Sequence, residues 1–269
     1  MTDQLPAPRA VLLDLEGTLY ANDEALPGAA EAITRLRGLG LGLRFVTNTD
    51  SKTTARIAAD LARYGLDIDE NELFTPVVAA QRLFAAPGTR PYTLLSDALS
   101  PLFPVNGGGS EGASGGEEFT HVLVGDCRDT LDYPRLDEAF RALRAGAHLV
   151  ALQRGRYFKR ADGDHVDTGA IVAALEYAAG VTARVLGKPA TDFFTLAADS
   201  LGVPVASCLA VGDDATTDIT GGLRAGLRTV QVRTGKYADQ HVEGVTGQAH
   251  HTLASVADLP ALLSTLTTA

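Results

Sequence analysis

Asp14 and Glu16 are carboxylates one residue apart, set in the run Val11-Leu12-Leu13-Asp14-Leu15-Glu16-Gly17-Thr18-Leu19-Tyr20. Val11 to Leu13 is too short for a helix and apolar on both faces, the pattern of a strand buried in a parallel sheet. Asp14 then falls at the carboxyl end of that strand, where open α/β sheets bind ligands. Side chains alternate along extended chain, so positions 14 and 16 point the same way and two carboxylates face one cavity. Gly17 permits the sharp turn that follows. Such a pair suits phosphoryl transfer. One carboxylate attacks phosphorus and forms an aspartyl-phosphate, while the other gives a proton to the leaving oxygen and later takes one from water.

Three further segments follow in order. Leu43-Arg44-Phe45-Val46-Thr47-Asn48 reads as a second strand ending in Thr, Leu186-Gly187-Lys188-Pro189 supplies a lysine, and Ala210-Val211-Gly212-Asp213-Asp214-Ala215-Thr216-Thr217-Asp218-Ile219 is an acidic loop after an apolar run. Each alone is a weak signal, but four in sequence at strand ends are strong. The first segment resembles the opening motif of the haloacid dehalogenase (HAD) superfamily, Asp-x-Asp-Gly-Thr, and the others resemble its phosphate-binding Thr, its Lys and its metal-binding acidic motifs. Residues 77 to 183 lie between the Thr and Lys motifs, enough for an inserted domain rather than a loop. An insert there is similar to the cap of the class IIA subgroup. Tyr157 to Gly163 with Ala173 to Ala178, and Arg233-Thr234-Gly235-Lys236-Tyr237, resemble most closely the branch of phospholysine phosphohistidine inorganic pyrophosphate phosphatases and their HAD-domain relatives.

The resemblance implies an α/β protein. A Rossmann-like, doubly wound parallel sheet forms the core (residues 1–76 and 184–269), and an α/β cap of the C2 type (residues 77–183) is inserted in it. It implies a Mg²⁺-dependent phosphatase with Asp14 as nucleophile and Glu16 in the acid/base position. The metal would be held by Asp14, the main-chain carbonyl of Glu16 and Asp213, an all-oxygen set suited to a hard divalent cation. Thr47 and Lys188 would hold the phosphoryl oxygens, with Asn48 as a further donor. Asp218 would orient a metal-bound water. Asp214 either supports the metal site from behind or is a solvated or helix-capping carboxylate. A homodimer formed through the cap is a further expectation from the resemblance alone.

Glu16 departs from the common pattern, which has Asp there. The extra methylene displaces the carboxyl group by roughly an ångström, and misplacement on that scale can cost on the order of 10²-fold in rate. The main-chain metal contact needs no side chain and survives. Glu16 therefore keeps a second reading open, a catalytically weak HAD-fold protein that binds phosphate ligands or interacts with partners. A weakened acid matters least when the leaving group departs easily, as from pyrophosphate, a phosphoramidate or an aryl phosphate.

The elements that must position these residues alternate as a parallel α/β domain requires. Residues 10–14 read as a strand, Pro27-Gly28 open a helix running toward Gly38, and a strand follows at 43–47. Ser51 is the expected N-cap of a helix carrying Ile57, Leu61 and Tyr64, closed by Gly65. In the insert, 92–96, 121–124 and 148–152 read as strands and 133–145 as a helix. The core is expected to resume near 184 with a strand, then a helix (190–201), the strand 208–211, a helix and the strand 228–232. Gly107 to Gly116 has the composition of a flexible linker rather than of a phosphate loop. Arg154, Arg156, Lys159 and Arg160 with Tyr157 and Phe158 between them form a basic patch, read either as a guide for an anionic ligand or as a solvated hairpin. The Thr234 to Tyr237 segment is either structural or a lining of the cleft mouth.

A net charge of −10 argues against binding nucleic acid by bulk electrostatics but does not exclude a small phosphorylated substrate. With 45% hydrophobic residues the chain can fill packed cores, and no apolar run reaches the length of a membrane helix. The N-terminus lacks a basic start and an apolar segment, so a cytoplasmic protein is the expectation. Cys127 and Cys208 give no disulfide framework, and none of the six histidines has metal-ligand or triad spacing.

Overall fold

The computed structural model describes residues 6–103, 119–160, 162–245 and 247–267, with the side chains of Lys159, Arg160 and Thr267 excepted. The glycine-rich stretch 107–116 lies outside the described residues, as do the side chains of Lys159 and Arg160 in the basic patch. The chain forms two compact units. One comprises Met1–Thr47, Thr54–Phe74 and Lys188–Ala269, and the other Asn48–Thr53 and Thr75–Gly187.

The first unit is built on a six-stranded parallel sheet. Across it the strands run His251–Leu253, Arg228–Val232, Cys208–Gly212, Ala10–Asp14, Gly42–Val46 and Leu73–Phe74. Ala10–Asp14 lies in the middle, and all five of its residues are buried, as its two-faced apolar sequence requires. Helices Ala29–Gly38, Thr54–Arg63, Thr191–Asp199 and Leu259–Thr267 belong to the same unit. Leu36, Phe45, Leu61, Leu209, Val230 and Leu263 are part of one buried apolar cluster. Phe193 is fully buried, edge-on to Phe74 at 5.3 Å and to Phe194 at 5.7 Å between ring centroids.

The second unit holds a four-stranded parallel sheet in the order Arg184–Val185, His148–Ala151, His121–Val124, Pro91–Leu94. Helices Pro76–Phe84, Tyr133–Arg144 and Thr168–Ala179 accompany it, with a separate antiparallel hairpin, Tyr157–Arg160 and Gly163–Val166. Its own core gathers Leu94, Val122, Leu143, Leu149, Val172 and Leu175. Two independent apolar cores are what two layered α/β units need.

Two expectations require correction. The strand near 184 does not begin the large sheet, because Arg184 and Val185 pair with Val150 and Ala151 in the four-stranded sheet. Ser51 does not cap a helix, because that helix begins at Thr54. The residues between are held by the second unit: Asp50 is buried and accepts a 2.7 Å hydrogen bond from the Thr168 hydroxyl. An anchored carboxylate there delays entry into the helix.

Candidate active site

The six-stranded sheet sets the site by register. Asp14 pairs with Val46 across the sheet, so Thr47 is one step beyond it on the neighbouring strand. On the other side Leu13 pairs with Val211, which brings Gly212 and Asp213 to the same edge. Asp14, Thr47, Lys188, Asp213, Asp214 and Asp218 are all buried. Asn48 is half-buried and belongs to the second unit, and Glu16 is exposed.

Three of these side chains form a tight cluster. Carboxylate oxygens of Asp14, Asp213 and Asp218 all lie within 4.8 Å of one another. Lys188 donates to Asp14 Oδ1 at 2.5 Å and to Asp218 Oδ1 at 2.6 Å, and the Thr18 hydroxyl donates to Asp14 Oδ2 at 3.0 Å. Burial opposes the charge on Lys188, but Asp14 and Asp218 outweigh it and hold its pKa above the usual lysine value. Burial, reinforced by Asp14, pushes Asp213 up to about 6. Asp218 is also raised, by burial first and then by Asp14 and Asp213 against the pull of Lys188. Burial is the largest cause in both, and the neighbouring carboxylates add to it; Lys188 bridges two of the three, and Lys236 pulls Asp213 the other way. The cluster is short of positive charge, which is the condition a divalent cation relieves. Its donors are all hard oxygens, the chemistry that Mg²⁺ prefers, so the residues present fit such an ion.

The acidic loop explains how Asp218 reaches the cluster. After the strand Cys208–Gly212 the chain makes a π-helical turn, Ala215–Ile219, of the kind common at functional sites. Asp214 caps it, accepting from the backbone N–H groups of Thr216 and Thr217 at 2.8 and 3.2 Å. The capping role is therefore present in the structure. Burial opposes its charge, but the Thr216 hydroxyl, Lys236 and Gln240 hold its pKa below the usual carboxylate range. A Cβ on Gly212 would come within 2.3 Å of Asp218 Cγ, so only glycine lets Asp218 fold back over the strand end.

Sequence reasoning left the role of Thr234 to Tyr237 open between structure and cleft lining. The segment is a strap across the acidic site. Thr234 donates its hydroxyl hydrogen to the Gly17 carbonyl at 2.5 Å, and the Lys236 N–H donates to Asp213 Oδ2 at 2.7 Å. The Lys236 ammonium meets Asp214 Oδ2 at 3.0 Å, and Gln240 donates to Asp214 Oδ1 at 2.9 Å. Gly235 and Gly17 both have positive φ, and a Cβ on either would collide with Asp213 Oδ2, at 2.1 and 2.3 Å respectively. These supporting residues carry no chemical signature of their own. The Thr-Gly pair after a strand is the one signal that could have marked the close approach. Of the basic patch, Arg154 is engaged with Glu176 at 2.6 Å, and the Phe158 ring is covered by the Arg128 guanidinium at 4.2 Å.

A parallel α/β sheet bearing a clustered Asp/Lys/Asp site at its strand ends defines a hydrolase of the HAD type. The chain belongs to that family: haloacid dehalogenase-like hydrolases match residues 11–103, and a second HAD-hydrolase-like family matches residues 185–259. It is an enzyme of the phosphatase kind within it. Among its relatives is the phospholysine phosphohistidine inorganic pyrophosphate phosphatase of Xenopus laevis, 38% identical over 93% of this chain and 94% of that one. The haloacid dehalogenase-like hydrolase domain-containing protein 2 of Bos taurus is 38% identical over 86% of each. Among solved structures, the 4-nitrophenylphosphatase of Thermotoga maritima superposes with a TM-score of 0.82 at 25% identity, covering 94% of this chain and 97% of that one. The p-nitrophenyl phosphatase of Archaeoglobus fulgidus has a TM-score of 0.81 at 23% identity, over 96% and 100%.

Proposed function

We propose that the protein hydrolyses small phosphorylated substrates through an aspartyl-phosphate on Asp14, with Mg²⁺ as cofactor and the inserted unit as the cap that closes over the substrate. The observation that carries this reading is the cluster in which Lys188 bridges Asp14 and Asp218 beside Asp213. Asp14, the Glu16 carbonyl and Asp213 would hold the metal, which supplies positive charge that lets an anionic phosphoryl group approach a carboxylate nucleophile. Asp14 attacks phosphorus, and the ester or anhydride bond to the leaving group breaks in line. Lys188 and Thr47 steady the phosphoryl oxygens, with Asn48 as an additional donor. Lys188 also fixes one Asp14 oxygen while Thr18 holds the other, which limits rotation of the nucleophile. Glu16 stands where a proton is passed to the leaving group and later drawn from water. Asp218, held by Lys188 and by the Asp214 N–H, supports the geometry from behind.

The exposure of Glu16 bears on the substrate class. An exposed, longer carboxylate is a looser acid than a buried Asp, so substrates with easily expelled leaving groups, an aryl phosphate, a phosphoramidate or pyrophosphate, should be favoured over alkyl monophosphates. The named activity of the Xenopus relative agrees with that choice. The same exposure favours the second reading, a weakly catalytic protein that binds phosphate ligands. Phosphate release from para-nitrophenyl phosphate and from pyrophosphate, with and without Mg²⁺, separates the two when the natural protein is compared with Asp14→Asn and Glu16→Asp. Activity that needs Mg²⁺ and Asp14 supports the phosphatase. An inert natural protein, active only as Glu16→Asp, supports the binder. Equal turnover of alkyl and aryl phosphates would sink the leaving-group argument.

A further inference from the structure

Beyond Asp14 and Glu16 the chain turns at Gly17 and enters a very small hairpin. Its two-residue strands, Tyr20–Ala21 and Glu24–Ala25, pair antiparallel. Asn22 and Asp23 join them with φ of 51° and 63°, the left-handed pair that a two-residue hairpin turn requires. An isolated hairpin is marginal in water at best, so this one depends on its surroundings. Its base is tied to the site: Glu16 forms a β-bridge with Tyr20, and the Gly17 N–H donates to the Tyr20 carbonyl at 2.8 Å. Tyr64, which follows the helix Thr54–Arg63 in the same unit, touches both ends of the hairpin. Its ring packs on the Tyr20 ring with centroids 5.2 Å apart, and its hydroxyl donates to Asp23 Oδ1 at the tip at 2.5 Å. The bond to Asp23 first, and burial after it, push the Tyr64 phenol up to about 12. Burial, then Glu16 and Asp14, raise that of Tyr20, so its ring stands in the field of both carboxylates.

We propose that Tyr64 is a positioning residue for proton transfer: by clasping Asp23 and the Tyr20 ring it fixes the hairpin, and through the Glu16–Tyr20 bridge it fixes the backbone from which the Glu16 carboxylate works. The inference rests on the reading of Glu16 as the acid/base group. The Glu16 side chain is exposed, so its backbone is the part the fold can hold firmly. A positioned acid contributes about 10²–10⁴-fold to such a step, and a displacement of about 1 Å can cost on the order of 10²-fold. The loss falls on substrates whose leaving group needs the proton, and much less on those whose leaving group departs as a stable anion. Tyr64 touches no substrate in this scheme and acts only through the hairpin.

Tyr64→Phe keeps the ring and removes the hydroxyl, and Asp23→Gly removes the acceptor at a position whose positive φ glycine adopts freely. With Mg²⁺ present, kcat/KM is measured for para-nitrophenyl phosphate and for phenyl phosphate, since it includes the step in which the leaving group departs. Each variant should lose about tenfold on phenyl phosphate and no more than about twofold on para-nitrophenyl phosphate. The double variant should lose no more than either alone, because both substitutions cut one link. Hydrogen exchange of the peptide spanning residues 17–26, read by mass spectrometry on the folded full chain, should be about tenfold faster in Tyr64→Phe. An equal loss on both esters, or none, overturns the proposal, as do losses that multiply in the double variant or a hairpin that exchanges no faster. A natural protein that hydrolyses neither ester fails the phosphatase reading instead, and the exchange rates still decide whether Tyr64 clasps the hairpin.

Discussion

Gly235→Ala tests whether the strap holds Asp213 in place. Gly235 has φ +56°, and a Cβ there would stand 2.1 Å from Asp213 Oδ2 and 2.6 Å from the Gly17 Cα. Real Cβ atoms essentially never come nearer than 3.0 Å, so the carboxylate must retreat by about 0.9 Å, with its hydrogen bond from Lys236 N–H. A displacement of that order costs about 10²-fold in kcat/KM. Left-handed backbone at a non-glycine residue adds roughly 1–2 kcal/mol of strain, which lowers the melting midpoint by about 2–8 °C. Gly40→Ala isolates the strain, since Gly40 has φ +71° and nothing lies within 4 Å of its added Cβ. The assay is Mg²⁺-dependent hydrolysis of para-nitrophenyl phosphate well below both melting midpoints. Gly40→Ala should show the strain alone, a smaller loss of stability with full activity, and Gly235→Ala should lose activity as well. If Gly235→Ala retains activity within about threefold of Gly40→Ala, the strap does not position Asp213 and the reasoning fails.

Lys188→Met removes the ammonium that bridges Asp14 and Asp218 and should lower kcat/KM by at least 10²–10³-fold. It should also destabilise the metal-free protein by about 3–5 kcal/mol, with a larger thermal stabilisation by Mg²⁺ than the natural protein shows; equal Mg²⁺ shifts in calorimetry would contradict this. Asp50 has its pKa pushed up to about 6 by burial, then by Asp167 and Asp126, although the Thr168 hydroxyl opposes. A carboxyl that binds its proton more tightly when folded destabilises the fold as it ionises, so its contribution is lost as pH rises from about 4 to about 6 and is constant above. Asp50→Asn should therefore be more stable than the natural protein by up to about 3 kcal/mol near pH 7.5 and by much less near pH 4. A difference in denaturant unfolding that does not vary with pH would refute it. Phe193→Ala, in the ring cluster with Phe74 and Phe194, should cost about 3–5 kcal/mol by the same measurement, and a loss under about 1 kcal/mol would show that the cluster relaxes to fill the space.

The strand ends that carry Asp14, Thr47 and Asp213 were legible because each combines a two-faced apolar run with an abrupt polar residue. Periodicity placed the helices at 29–38 and 133–144 within a residue or so, since each has a helical apolar face and a clear terminator or cap. Register and long-range anchoring were not legible. Arg184–Val185 is a two-residue strand, and nothing local says which sheet it joins. Ser51 has the right type for an N-cap, but the buried Asp50–Thr168 hydrogen bond, between residues 118 apart, overrides it. The three-residue strand His251–Leu253 lacks a period long enough to recognise. Within the site, Asp14 was marked by its place at a strand end and Lys188 by the resemblance of its segment to a family motif. The segment from Thr234 to Tyr237 was noticed in the sequence, but its hold on Asp213 was not legible, because it runs through the backbone N–H of Lys236.

The central claim is that Asp14 becomes phosphorylated during turnover. The direct measurement is borohydride reduction during steady-state hydrolysis of para-nitrophenyl phosphate, followed by peptide mass spectrometry. An aspartyl-phosphate is reduced to the alcohol, so the peptide containing Asp14 should carry homoserine at that position. The modification should need substrate and Mg²⁺ together and should be missing in Asp14→Asn. Turnover with Asp14 unmodified, or with the reduced residue elsewhere in the chain, would contradict the account.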